Sequence, residues 1–201
     1  MYIPKYFEIT GKDEIFDFIE KNTFGQIIST VKGRFFSTHI PFLISEDKTK
    51  IIGHLAKQNP QHIEIDGQEA LITLQGPHDY ISPSWYVGSG VPTWNYQTVH
   101  IYGHCKTFHD TEKLKSVVDR LSNKHESAFQ TPWVPEYNAS MLSAIIGIEI
   151  TINEIQCNYK LSQNQPSQNQ LQVIEQLRIS GSSALADAME RNFNSISDNH
   201  E

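Results

Sequence analysis

The sequence predicts a mainly β protein with peripheral helices, an α+β class with six or seven mostly antiparallel strands forming a barrel or half-barrel. Three observations predict it. Ile146, Ile148, Ile150 and Ile152 alternate with Gly147, Glu149 and Thr151, the period of a strand with one buried face. Runs of β-branched and aromatic residues recur between Gly25 and His109, separated by turn-forming residues. Helical spacing is confined to short stretches near the N-terminus, after His109 and near the C-terminus.

The elements follow in order. Thr10-Gly-Lys-Asp13 reads as a helix cap, and Ile15, Phe16, Phe18 and Ile19 give that helix an apolar face as far as Lys21 or Asn22. Gly25 opens a strand, Lys32-Gly33 turns it, and a second strand runs from Arg34 to Ile44 with Pro41 marking an edge or bulge. Ile51–Ala56 is a strand, and Asn59-Pro60 starts a short helix. Ala70–Gln75 is a strand, followed by a Gly76–Pro92 loop and a long strand from Asn95 to His109, broken or bulged at Gly103. Asp110 caps a helix to about Lys124, with Leu114, Val117, Val118 and Leu121 inward. A helical turn at Ala139–Ala144 precedes the Ile145–Cys157 strand. Ser162–Gln172, rich in Gln, Asn and Ser, reads as a linker to a helix with Leu171, Ile174 and Leu177 on one face. Gly181-Ser-Ser breaks that helix, and Leu185–Arg191 forms another.

With 201 residues, the chain is one domain with an appendage, long enough to bury a core. Its net charge of −7 argues against broad nucleic-acid binding. The absence of a signal peptide or a bilayer-length apolar run predicts a cytoplasmic protein with no membrane partner. Cys105 and Cys157 then read as packed thiols.

Gly76–Gly103 holds Tyr80, Trp85, Tyr86, Trp94, Tyr96 and Tyr102 without a single Lys or Arg. Such a stretch suits either core packing or a pocket for a flat ligand. His100 and His104 stand four apart, but on a strand that is roughly 13 Å, too far for one metal, and no metal site is assigned. Ser82 and Ser84 lack a nucleophile elbow, which discounts hydrolysis, and no P-loop or dinucleotide fingerprint occurs, so the catalytic residues are left unassigned. Lys57, Gln58 and Asn59, between a strand end and a helix start, offer a cation and amides to a phosphate; an ordinary Asn cap beside a surface Lys competes. Lys160 to Asn164 reads as ligand donors at a strand end or as a solvated linker. Thr38, His39 and Ile40 read as a ring-binding edge or as core.

Taken in order, MYIPKYFE, THIPFLI, GHLAKQNPQ, GPHDYISPSWY, VPTWNYQTVHIYG and KLSQN resemble the PaiB-type proteins, FMN-binding negative transcriptional regulators, from Met1 to Asn164. The resemblance implies an FMN-binding split β-barrel over residues 1–164 and a homodimer with FMN at the interface, while composition and terminal position set a helical appendage over 165–192 and a disordered tail over 193–201. It implies Lys57, Gln58 and Asn59 at the phosphate, His54 and Ala56 close by, and Thr38, His39 and Ile40 beside the isoalloxazine. Trp94 and Asn95 would wall the site, with Lys160, Ser162 and Gln163 arriving from the partner subunit. Lys57 stands where Arg is usual, which keeps the charge and loses the two-pronged contact. A flavin-dependent reductase or oxidase, or a haem-binding protein, would use the same fold. DNA stays open as a partner without a motif behind it: the helix-turn-helix-like C-terminus sets Asp187 and Glu190 against Arg191.

Overall fold

The alternating and helical patterns become seven strands and six α-helices in a computed structural model, which describes residues 1–198. The strands are β1 (Phe24–Val31), β2 (Arg34–Pro41), β3 (Leu43–Ile44), β4 (Lys50–Ala56), β5 (Glu69–Ile81), β6 (Thr93–Phe108) and β7 (Ile145–Lys160). The helices are α1 (Lys12–Lys21), α2 (Gln61–Glu64), α3 (Thr111–Glu126), α4 (Ala139–Ser143), α5 (Ser167–Ile179) and α6 (Ser183–Asp198). One antiparallel sheet has the order β2-β1-β5-β6-β7-β4-β3; its end strands, β2 and β3, each have a single neighbour, so the sheet is not closed.

The chain divides into two compact units, and the long strands β5, β6 and β7 contribute to both. The expected boundary at 164/165 does not coincide with this division, because the second unit ends at Ile155. That unit holds Phe16–Leu74 and His100–Ile155. Lys32 and Gly33 both have positive φ, the twist a two-residue hairpin needs, and β1 pairs with β2 from Phe24↔Pro41 to Val31↔Arg34. The strand expected over 34–44 is interrupted at Phe42, whose N–H turns to Thr23 O at 2.7 Å. Ile27, Ile51, Leu55, Ile72, Ile101, Ile148 and Ile150 fill the core. Helix α3 is capped by Asp110 Oδ1, which accepts from Lys113 N at 2.7 Å, and it lays Val117 and Leu121 on Leu43, Ile52 and Phe108. Glu149 takes both Lys50 (3.0 Å) and Lys113.

The first unit holds Met1–Ile15, Gln75–Val99 and the chain from Gln156 onward. Its N-terminal segment adds to β7: Glu8 bridges Asn158, and Ile9 N donates to Cys157 O at 3.1 Å. Helices α5 and α6 pack through Val173, Ile174, Leu177, Leu185 and Met189. Asp79 accepts from Ser182 in the turn between them.

Several expectations are corrected. Gly76–Ile81 continues β5, so the loop begins only at Ser82 and contains a 3-10 turn at Pro83–Trp85. Strand β6 runs unbroken through Gly103. Helix α5 begins at Ser167, inside the expected linker, and it exposes Leu171 while burying Val173. Helix α6 is longer than Leu185–Arg191 and reaches Asp198, so residues 193–198 of the expected disordered tail are helical; 199–201 lie outside the described residues. Cys105 and Cys157 are buried free thiols, each pushed up to about 12 by burial. Among the described residues, no helix is long and apolar enough to cross a membrane.

Gly103 is present for close approach rather than for a bend. A Cβ there would lie 2.1 Å from Thr151 O, a backbone atom of the neighbouring strand that cannot step aside. Gly103→Ala is expected to cost about 3 kcal/mol in chemical denaturation. Gly11→Ala, whose Cβ meets nothing nearer than 3.9 Å, should stay within about 0.5 kcal/mol of the parent.

Candidate functional site

The residues singled out in the sequence fall into one group in each unit. In the second unit, β4 ends at Ala56 and the chain turns through Lys57, Gln58 and Asn59 into α2. The turn is held by backbone bonds from Lys57 N to Ala144 O and from Asn59 N to Ala56 O, both 2.9 Å. Asn59 Oδ1 accepts from Gln61 N at 3.0 Å, the local cap that the Asn-Pro pair predicts. Asn59 Nδ2 donates to Thr38 Oγ1 (2.8 Å), which donates to Gln61 Oε1 (2.6 Å). Gln61 is fully buried, and its amide nitrogen reaches Ser29 Oγ at 2.9 Å and the carbonyls of Ile27 and Phe36 at 3.3 Å. A buried side-chain amide with both ends satisfied fixes what it touches. Here it ties β1, β2 and the turn after β4 into one piece.

Strand alternation separates the three candidates on β2. Thr38 is half-buried and Ile40 is buried, on one face. His39 is exposed on the other, stacked on Phe24 with ring centroids 6.1 Å apart. Ala56, Lys57 and Gln58 are exposed, so a cation and an amide project from a rigid turn. His54 stands apart from this set: its Nδ1 is buried without a partner, and burial holds its imidazole below the usual range.

In the first unit, Asn95 is buried on β6, and its Nδ2 donates to Ser162 Oγ at 2.8 Å and contacts Met189 Sδ at 3.3 Å. Its Oδ1 is buried and unpartnered. Ser162 follows β7 with φ of 66°, a left-handed turn that aims its hydroxyl at Asn95. Lys160 donates to Thr93 Oγ1 (2.5 Å) and Trp94 O (2.6 Å), and burial lowers its ammonium below the usual lysine range. Gln163 is occupied by its own turn: Oε1 accepts from Leu161 N at 2.7 Å and Nε2 donates to Tyr159 O at 2.6 Å. The half-exposed Trp94 ring lies beside His78, and Tyr80 meets it edge-on at 6.2 Å.

Sequence reasoning missed Gln61 and Thr93. Nothing in the pattern distinguishes a buried Gln in a short polar helix from a surface one. The only available signal was the Asn-Pro-Gln cap, which sets Gln61 one step inside the helix.

An open seven-stranded antiparallel sheet with peripheral α-helices defines the class by fold, a split barrel. Residues 1–154 match the family described as "Putative FMN-binding domain", and the chain belongs to that family. It is 40% identical over 186 residues to "Protease synthase and sporulation protein PAI 2" of Bacillus subtilis (strain 168), covering 89% of each chain. An uncharacterised protein of Saccharomyces cerevisiae is 30% identical over 155 residues, 63% of this chain and 90% of its own length. Among solved structures, the FAD and heme binding protein of Mycobacterium smegmatis superposes with a TM-score of 0.62 at 11% identity, covering 82% of this chain and 78% of that one. The flavocytochrome Anf3 of Azotobacter vinelandii gives 0.60 at 14% identity, over 79% and 72%. At these identities, the two structures support the fold alone.

FMN is the cofactor of this family, and the donor chemistry fits its phosphate. The turn carries one ammonium at Lys57 and the amide of Gln58, both exposed, while Asn59 keeps a second amide hydrogen beyond the one given to Thr38.

Burial of His54 gives a pH dependence whose sign is fixed. Its folded pKa lies below the ordinary 6.5, as does that of His100, so the unfolded chain binds more protons below that pH. Stability should be intact above about pH 6.5 and fall progressively as pH drops through the depressed values. Denaturant melts at pH 7.5 and 5.5 should show the loss, and His54→Phe should shrink it.

Proposed function

We propose that this chain is a homodimeric, cytoplasmic flavoprotein that binds FMN and acts as a PaiB-like negative regulator of transcription. The carrying observation is the Lys57–Asn59 turn, locked to β2 through Thr38 and the buried Gln61 amide, in a chain of the FMN-binding family. In this reading, Lys57 neutralises the phosphate and the amides of Gln58 and Asn59 orient it. Thr38, His39 and Ile40 run beside the ring in this reading, Thr38 and Ile40 from one face of β2 and the exposed His39 from the other. Trp94 offers an exposed aromatic surface at the ring end. Asn95, Lys160, Ser162 and Gln163 shape the subunit edge, Asn95 through its unsatisfied buried oxygen. When bound, FMN supplies a redox-active ring; the protein's part is to hold, orient and shield it.

The regulatory role is taken to be indirect. Arg178 on α5 pairs with Asp187 and Glu190 on α6 at 2.8 Å each, so the helix-turn-helix-like segment spends its central cation on its own acids. A groove-reading helix needs its cations free for phosphates. PAI 2 is named for protease synthesis and sporulation, and the control of gene expression proposed here rests on likeness to it.

The test compares FMN with riboflavin, which lacks the phosphate. Flavin fluorescence titrations should show FMN retained through desalting and riboflavin bound far more weakly. Lys57→Ala should weaken FMN roughly tenfold, about 1.4 kcal/mol, and leave riboflavin unchanged. Equal affinity for the two flavins, or no retention of either, would overturn the reading.

A further inference from the structure

The loop between β5 and β6 meets the end of β7 around a small cavity of about 120 Å³, which lies wholly within the first unit. Thr93 and Asn95, alternate residues on one face of β6, form one wall. Lys160, at the end of β7, and Ser162, in the turn after it, form a second. Tyr86 and Val91 on the loop form a third, and Asn164 and Gln165 complete the lining. The loop is pinned where it stands. The Tyr86 hydroxyl shares a hydrogen bond with Ser162, whose Oγ also accepts from Asn95 Nδ2 at 2.8 Å. Val87 N donates to Asn169 Oδ1 at 2.9 Å, and Gly90 lies so near the Tyr86 ring that a Cβ there would come within 2.1 Å of it.

Val91 is the one aliphatic side chain in the lining; the others carry a hydroxyl, an amide or an ammonium, and none carries a carboxylate. These walls hold more hydrogen-bond donors than the protein uses. Lys160 gives two of its three ammonium hydrogens to Thr93 Oγ1 and Trp94 O, and no Asp or Glu pairs with it among the described residues. Thr93 Oγ1 accepts from Lys160 and so keeps its own hydrogen to donate. Gln165 turns Oε1 to Asn169 Nδ2 at 3.3 Å, which leaves its amide nitrogen as the donor end. Burial lowers the Lys160 ammonium below the usual lysine range, the direction expected where no carboxylate offsets the lost water. A partly desolvated cation without a counter-charge is completed by an anion.

We propose that this cavity binds a short-chain carboxylate of about the size of acetate, with its oxygens on Lys160 Nζ and the Thr93 hydroxyl and its carbon chain toward Val91. Charge, size and polarity each support that choice. One ammonium neutralises a monoanion and leaves a dianion such as sulfate half uncompensated. The volume equals that of about four water molecules at ~30 Å³ each, room for a short acid and too little for a flavin ring. The donors are all neutral apart from Lys160, so they hydrogen-bond the carboxylate without adding a second charge. Gln163, which the resemblance groups with Lys160 and Ser162, does not line the cavity, and neither do Lys57, Gln58 and Asn59. The site therefore stands or falls independently of the turn assigned to the flavin phosphate.

The test is a titration of the full chain, with and without FMN, using acetate, acetamide, sulfate and benzoate, followed through the Asn164 and Gln165 side-chain amides in nitrogen-edited NMR spectra. Acetate should shift these signals saturably and bind roughly tenfold or more tighter than acetamide, its uncharged isostere. Sulfate and benzoate should bind more weakly than acetate. Lys160→Gln should bring acetate down to the level of acetamide while leaving acetamide unchanged; lost packing alone would weaken both alike. Thr93→Val makes the same test should Lys160→Gln not fold. Saturating FMN should leave the acetate titration unchanged. Equal binding of acetate and acetamide, tighter binding of sulfate or benzoate, a preference for acetate that survives in Lys160→Gln, or displacement of acetate by FMN would each overturn the proposal.

Discussion

The side-chain amide of Gln61 is the point on which the candidate site depends. It is fully buried, and its hydrogen bonds run to Thr38, Ser29 and the carbonyls of Ile27 and Phe36. Each such bond contributes only about 1 kcal/mol net, but a buried donor or acceptor left empty costs about 1–3 kcal/mol. An apolar residue at position 61 would strand several partners together. The network therefore gives position more than stability: β1, β2 and the Lys57–Asn59 turn are held in one register, and Asn59 is presented with one amide hydrogen to spare.

The remaining candidates divide according to what their polar atoms already do. Gln163 spends both ends on its own turn, and Lys160 spends two of its three donors on Thr93 and Trp94. These contacts shape the end of β7 around Asn95. By contrast, Asn95 Oδ1 and His54 Nδ1 are buried with nothing to bond.

Much of the fold was legible because it follows from local rules. The isoleucine alternation of β7, the Asp110 cap with the inward Leu114, Val117, Val118 and Leu121 of α3, and the Lys32-Gly33 turn all depend on neighbours in sequence. The failures have nonlocal causes. Gly76 and Pro77 read as loop, yet they lie inside β5. Gly103 reads as a break, but it is a contact site that Thr151 O of the adjacent strand leaves too narrow for a side chain. Leu171 and Val173 exchange roles because the partner of α5 is α6, which periodicity does not identify. At the site, the residues around Lys57–Asn59 left a phosphate cradle and an ordinary Asn cap both open and only the family resemblance chose between them, while the anchor at Gln61 and the separate surroundings of His54 depend on side chains brought together from distant segments.

The central claim is that a flavin phosphate sits on the turn after β4. Its most direct test is a crystal structure of the protein with FMN. The account predicts phosphate density within hydrogen-bonding distance of Lys57 Nζ and the Gln58 and Asn59 amides, with the Thr38–Asn59–Gln61 bonds intact. Phosphate density at another set of residues, such as Lys160 and Ser162, with Lys57 free in solvent, would contradict it.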